Sequence, residues 1–160
     1  MSTASAVGIS AVPVKTEVNE SIVGGLTFTT EGEAEWEARL AVRRLEEIEE
    51  LAVEGSLSGE SRMRLQDEFQ THAEAAMDLT DILAENGEAE AAAEIMAEFR
   101  ADLDARIDAM EQVNDLEGDA QAQLGLVSAL AVSIRATADS MAEGYAGMTN
   151  SGEQNSSAEA

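Results

Sequence analysis

Cysteine is absent from this 160-residue sequence, and proline and aromatic residues are scarce. Without cysteine the chain forms no disulfides, thiolate metal sites or iron–sulfur clusters, and it has no thiolate nucleophile. Pro13 is the single proline, and aromatic residues make up 3% of the chain. A β-protein of this length would use more turn residues and more aromatic and β-branched side chains. These absences predict an all-α fold whose core is built from alanine, leucine, isoleucine and methionine.

Positive charge is also scarce. The chain has 33 acidic residues against 9 lysines and arginines, Lys15 is the single lysine, and the formal charge is −24. Such a surface repels the phosphates of nucleic acids and anionic lipids, so neither is an expected partner. The chain also repels itself, but in molar salt the Debye length falls to about 3 Å and the repulsion is screened. The composition therefore favours a halophilic host. An acidic helical protein of an ordinary organism is the alternative, because glutamate also favours helices.

Long hydrophobic runs are missing as well. A membrane-spanning helix needs roughly 18–20 apolar residues, and no uninterrupted run of that length occurs. The longest apolar run, from Leu124 to Ile134, is interrupted by Ser128. A signal peptide begins with a basic segment followed by an apolar one, and the N-terminus of this sequence does not have this pattern. We therefore expect no direct membrane insertion by this chain.

What the sequence does contain is a helical repeat of apolar residues. They recur at alternating spacings of four and three in four long segments, which predicts coiled-coil-like packing along narrow seams. The predicted helices run from a capping box at Thr30 and Glu33 to about Glu54, from Ser58 to Asn86-Gly87, from Glu88 to about Leu116, and from Gly118-Asp119 to about Tyr145. The predicted seam residues are Ala34, Ala38, Ala41, Leu45, Ile48, Ala52; Leu65, Phe69, His72, Ala76, Leu79, Leu83; Ala92, Met96, Phe99, Leu103, Arg106, Met110, Val113; and Leu124, Val127, Ala131, Ile134, Ala138, Met141, Tyr145.

Short connections between these segments force consecutive helices to run antiparallel. The predicted architecture is an elongated, antiparallel up-and-down bundle of four long helices, preceded by a short helix from Val14 to about Leu26. Residues 14–145 form one domain. Residues 1–13 are expected to be a flexible N-terminus, and residues 146–160 a disordered, polar and acidic tail.

Two predicted seam positions carry polar side chains, His72 and Arg106. One interpretation is a half-exposed histidine and an arginine whose head group reaches past the seam to a carboxylate. The other is a polar layer that sets the register of the helices.

Neither metal nor catalytic residues are predicted. A di-metal carboxylate site in a bundle needs two Glu-x-x-His motifs, and this chain has one histidine. Asp102, Asp104 and Asp108 have the opening spacing of a calcium loop, but Ile107 stands where the turn requires glycine. They are more typical of a solvated helix face. A serine hydrolase would need His72 as its base, yet this residue is predicted to lie in the middle of a helix. The sequence therefore predicts no enzyme and no cofactor.

Several motifs together resemble a known family. They are three stretches in this order: Pro13 to Glu20, Leu40 to Leu51, and the long segment from Phe69 to Phe99. They are similar to an uncharacterised helical domain family of bacteria and archaea, in which the domain usually follows a signal or membrane helix and a Leu-Tyr-Pro-x-Lys motif. The resemblance covers about residues 12–113 and implies an extracytoplasmic or envelope location.

The chain also departs from that family. Ala11-Val12 stand in place of Leu-Tyr, no hydrophobic helix precedes them, and Arg106 stands where the family would have histidine. The resemblance brings no catalytic residues. The cytoplasm is the alternative location.

Three functions agree with these observations. The first is a non-enzymatic, envelope-associated helical module for binding or scaffolding, with a protein partner. The second is a holdase-like acidic chaperone with an exposed apolar surface between long helices. The third is a regulatory interaction domain whose packing responds to salt or divalent ions. A leftover apolar stripe on the bundle would also allow a homo-oligomer.

Overall fold

The computed structural model describes residues 29–113, 116 and 119–156, with side chains to residue 151, and it confirms the all-α bundle. The described residues form four helices and no strand: α1 (Thr30–Val53), α2 (Gly59–Glu85), α3 (Ala89–Gln112) and α4 (Ala120–Ser156). At 1.5 Å per residue, α1 and α3 are about 36 Å long and α4 about 55 Å. The predicted flexible segment 1–13 and the short helix 14–26 lie outside the described residues.

The beginning of α1 differs by one residue from the prediction. Thr29 has the extended backbone of an N-cap, and its hydroxyl accepts a hydrogen bond of 3.1 Å from the Gly32 amide. Thr30 is already helical, so the capping box predicted between Thr30 and Glu33 does not form. An N-cap needs a non-helical backbone, and two adjacent threonines leave that choice open in the sequence.

The two short turns follow the predicted chemistry. Ser58 and Ser61 form a reciprocal capping box at the start of α2, with side chain to backbone distances of 3.0–3.1 Å. Gly55 and Gly87 follow the ends of α1 and α2 with φ angles of +70° and +89°. This left-handed conformation ends a helix with little strain only at glycine. Consecutive helices therefore turn back sharply and run antiparallel.

The bundle consists of two tightly packed hairpins, α1 with α2 and α3 with α4. They are joined mainly through α3, which also packs against α2 and α1. The core is continuous and contains the fully buried aromatic rings of Phe69 and Phe99. In α1 the buried residues are the six predicted ones: Ala34, Ala38, Ala41, Leu45, Ile48 and Ala52.

In α2 and α3 the seam departs from the predicted spacing. Ala73 and Thr80 are buried where His72 and Leu79 were predicted, and Ile107 is buried in place of Arg106. In both helices two buried residues are separated by eleven positions, Phe69 from Thr80 and Met96 from Ile107. A straight helix has 3.6 residues per turn, so positions chosen by alternating steps of four and three drift around the helix by about 20° per heptad. One additional four-residue step returns the series to the buried face. The strict alternation of four and three was wrong at these three positions.

The fourth helix extends past its predicted end. It continues from Tyr145 to Ser156, so the predicted tail of residues 146–160 begins inside α4, and residues 157–160 lie outside the described part of the chain. Thr149 and Ser151 donate hydrogen bonds of 2.8 and 3.0 Å to the carbonyls of Ala146 and Gly147. Short polar side chains can thus bond to their own helix. The polarity of these residues is compatible with an exposed helix as well as with the predicted disordered tail.

Candidate interaction surfaces

Neither polar seam residue lies in the core, and they do not contact each other. His72 is half-buried, with its Nδ1 2.6 Å from a carboxylate oxygen of Glu37 on α1. Arg106 reaches α1 further along, with Nη1 3.6 Å from Glu46 and 3.5 Å from Glu49. Glu37 and Glu46 are nine residues apart, which is roughly 14 Å along a helix. The two pairs therefore do not form one polar layer. They fit the interpretation of a half-exposed histidine and an arginine that extends to a carboxylate.

Other arginines also connect helices. In the first hairpin, Nε of Arg44 lies 3.1 Å from Glu68. In the second, Arg100 contacts Asp139 at 2.9 Å and Arg135 contacts Asp104 at 2.8 Å. The hydrogen bond to Asp104 raises the pKa of Arg135. These pairs are partly exposed, so each adds little stability. Since each joins a given pair of positions, we infer that they favour one register of each hairpin.

The described residues contain no group of three or more histidine or acidic side chains arranged to hold a metal ion. The three aspartates with calcium-loop spacing lie on the regular helix α3, as predicted. Asp102 and Asp108 are exposed, whereas Asp104 is half-buried in its pair with Arg135. An open groove of about 420 Å³ lies between α3 and α4 and is lined by four alanines and four charged residues, among them the Arg100–Asp139 pair.

One partly buried polar contact connects α4 to α2. Tyr145 is 5% exposed, and its hydroxyl donates a hydrogen bond of 2.5 Å to Asp81. Thr80, beside it, is fully buried and donates to the Met77 carbonyl at 2.8 Å. Burial, followed by the hydrogen bond to Asp81, raises the pKa of Tyr145 to about 12. The sequence pattern identified Tyr145 as a seam residue but had no signal for its partner.

This contact predicts an alkaline loss of stability. The folded pKa of about 12 exceeds the ordinary value of about 10, so between these two pH values the unfolded chain loses the phenolic proton first. The free energy of unfolding should therefore decrease as pH rises from about 10 to about 12. Tyr145→Phe should reduce this decrease. Because Tyr145 is the only tyrosine, the phenolate absorbance of the native chain measures its titration directly. A midpoint near 10 would contradict the prediction.

Charge is distributed unevenly over the four helices. Helix α1 carries eight acidic and three basic residues, and α2 and α3 carry seven acidic and two basic residues each, so each has a formal charge of −5. In α4, by contrast, residues 120–134 contain no charged side chain, and only Arg135, Asp139 and Glu143 are charged between 120 and 151. The bundle therefore presents three acidic helices and one nearly neutral helix.

The neutral helix also exposes apolar side chains. Leu126 and Met148 are 59% and 58% exposed, and Val132 is 40% exposed. By length and composition alone, the stretch Ala120–Ser151 could cross a membrane, because an 18-residue window within it has a mean hydropathy of 1.2. A helix that packs in the core of a bundle passes the same test, and α4 buries one face against α3. Serines and glutamines interrupt the apolar residues of this segment, so it contains no long uninterrupted apolar run.

The chain was also compared with known proteins. No protein-family model matches it, and neither a curated protein nor a solved structure does. The all-α bundle therefore follows from the sequence pattern and the structure, and the resemblance to the envelope-associated helical family remains a prediction based on its motifs.

Proposed function

We propose that this chain is a non-enzymatic, halophile-adapted helical module that binds or scaffolds proteins at the cell envelope. The observation that carries the proposal is the contrast between three helices with a charge of −5 each and the nearly neutral, partly apolar surface of α4. The centres of protein interfaces are depleted in charged residues. An uncharged strip on an otherwise acidic bundle is therefore the surface best suited to hold a protein partner.

The acidic helices support the halophile part of the proposal. Excess surface carboxylates keep a protein soluble in concentrated salt, where screening removes most of their mutual repulsion. The envelope part rests on the resemblance of Pro13 to Glu20 and the later motifs to the helical family.

Location and binding can be tested together in the organism that encodes the chain. The native protein, detected with an antibody, would be followed through cell fractionation, with a known cytoplasmic enzyme as the control. Intact cells would then be treated with a cross-linker. We expect the chain outside the cytoplasmic fraction and in cross-linked complexes. A wholly cytoplasmic distribution would overturn the envelope assignment, and a chain that never cross-links to protein would overturn the scaffolding role.

A holdase is the second candidate, because Leu126, Val132 and Met148 are exposed on one helix. Unfolding clients bind to such apolar surface. Light scattering of a heat-denatured client separates the two functions. A holdase suppresses the scattering at stoichiometric ratio, whereas a scaffold with a specific partner leaves it unchanged.

A further inference from the structure

The outer surface of α4 carries a regular line of exposed residues, which we call the neutral face. None is charged, and none is larger than serine: Ala122, Gly125, Ala129, Ser133, Ala136, Ser140, Gly144 and Gly147. We propose that the neutral face is a contact between two copies of this chain, which meet through antiparallel α4 helices about a twofold axis. This inference deepens the proposed function and rests on it, since it names a second copy of the chain as the partner at the uncharged strip of α4.

The eight residues lie on one side of the helix. Neighbouring members of the neutral face are three or four positions apart in the sequence. Each step of one position along an α-helix rotates the side chain by about 100°. All eight therefore point within about 60° of a common direction. The opposite side of α4 carries the buried residues Leu124, Val127, Ala131, Ile134 and Ala138, which pack in the core. The neutral face thus points away from the bundle and has no partner within the described chain.

The spacing of the neutral face has its own symmetry. Read from either end, the separations are three, four, four, three, four, four, three. A twofold interface brings each position onto its mirror position in the other copy. With the axis between Ile134 and Arg135, Ser133 faces the partner's Ala136, and Gly125 faces the partner's Gly144. The eight small residues thus meet one another along the contact, with the exposed Leu126 and Glu143 at the edges of the same sector. A partner with an unrelated sequence would not require this symmetry.

Electrostatics also favours a second copy at this surface. Two chains of formal charge −24 repel each other wherever α1, α2 or α3 would meet its counterpart. Contact through the neutral face avoids this charge repulsion, because residues 120–134 carry no charge and Glu143 is the acidic residue near the edge of the face. In the antiparallel arrangement the two Glu143 side chains lie about 25 Å apart along the helices. This distance exceeds the Debye length of about 8 Å at physiological ionic strength.

Glycines within the neutral face give a further reason for close contact. Glycine is less favourable than alanine inside a helix. A Cβ atom at Gly125, Gly144 or Gly147 would meet nothing within 4 Å, so packing within the chain does not require glycine there. Small residues on a helix surface allow another helix backbone to approach closely. The antiparallel copy supplies such a neighbour at all three positions.

The size of the contact indicates a reversible dimer. The stretch from Ala120 to Ser151 is about 48 Å long, and a helix with its side chains is roughly 10 Å wide. One strip of this size covers about 500 Å² per copy, or about 1,000 Å² in total, which is the lower limit for a specific interface. We therefore expect a dissociation constant on the order of micromolar at high salt, where the remaining repulsion is screened.

Sedimentation equilibrium of the full chain in concentrated KCl tests the proposal. The wild type should change from monomer to dimer as its concentration rises through the micromolar range. Ala136→Glu places two carboxylates close to each other at the axis, and we expect it to weaken the dimer at least about tenfold. Ala105→Glu adds the same charge at an exposed position of α3 and should leave the association unchanged. Circular dichroism would verify that both variants keep their helices.

Single cysteines test the orientation, because the chain has none of its own. In the antiparallel dimer, a mixture of Ala122→Cys and Gly147→Cys chains should form a disulfide between the two variants. Ala122→Cys alone should not, since the two positions lie about 37 Å apart along the helices. A monomeric wild type, an Ala136→Glu variant that dimerises normally, or rapid disulfide formation by Ala122→Cys alone would overturn the proposal. None of these results would affect the fractionation test of the envelope role.

Discussion

Replacing Phe99 with alanine is expected to lower the free energy of unfolding by about 3–5 kcal/mol, which is a large part of the stability of a typical domain. The Phe99 side chain is 1% exposed and lies where α3 packs against α1, beside Ala38. About a third of the buried residues in the core cluster that contains it are alanines. An alanine has no side-chain rotamer with which to fill the space that the ring leaves. The cavity should therefore remain open, and the cost should be near the upper end of the range.

Denaturation in urea, followed by far-UV circular dichroism, measures this effect. The matched control is Trp36→Ala, which removes a larger ring from α1 at a position that is 52% exposed. We expect the control to change the free energy of unfolding by less than about 1 kcal/mol. Equal losses for the two variants would show that Phe99 is not in the core. The chains should be compared below the concentration at which they dimerise, since association stabilises the folded state.

The thermal midpoint of the wild type should rise by on the order of 10 °C between low salt and about 2 M KCl. Helices α1, α2 and α3 carry −5 each, and the bundle holds them side by side. Their mutual repulsion opposes the folded state at low ionic strength and is screened in molar salt. The inter-helix arginine pairs are partly exposed and weaken in salt as well, but there are few of them against 33 acidic residues.

The matched variant neutralises one exposed carboxylate on each acidic helix, with Glu50→Gln, Asp78→Asn and Glu98→Gln. It should have a higher midpoint than the wild type at low salt and the same midpoint at high salt. Adding millimolar calcium at constant ionic strength distinguishes screening from specific binding. A midpoint independent of KCl would contradict the halophile prediction. A sharp, saturable rise with calcium alone would instead support the ion-responsive regulatory domain.

The sequence alone was sufficient to predict the helices and most of the seam. Composition and short turns determined an antiparallel all-α bundle, because a chain poor in aromatic, proline and cysteine residues has few other ways to bury its apolar side chains. The seam of α1 was predicted in full, since its apolar residues are separated by polar ones at regular steps. The same pattern failed at His72, Leu79 and Arg106. Next to each of these residues lies an apolar or small residue. The small drift of the apolar repeat around the helix decides which of the two adjacent residues is buried.

The tertiary structure alone decided the polar partners and the neutral face. With 33 acidic residues in the chain, any arginine has many possible carboxylates, and only the packing of the helices selects Glu68 for Arg44 or Asp104 for Arg135. The absence of charge from residues 120–134 is visible in the sequence, but a core helix would show it too. Whether those residues face the core or the solvent depends on how many other helices surround α4. Among the described residues, packing leaves one side of α4 uncovered, and the spacing of apolar residues in the sequence does not give the number of neighbouring helices.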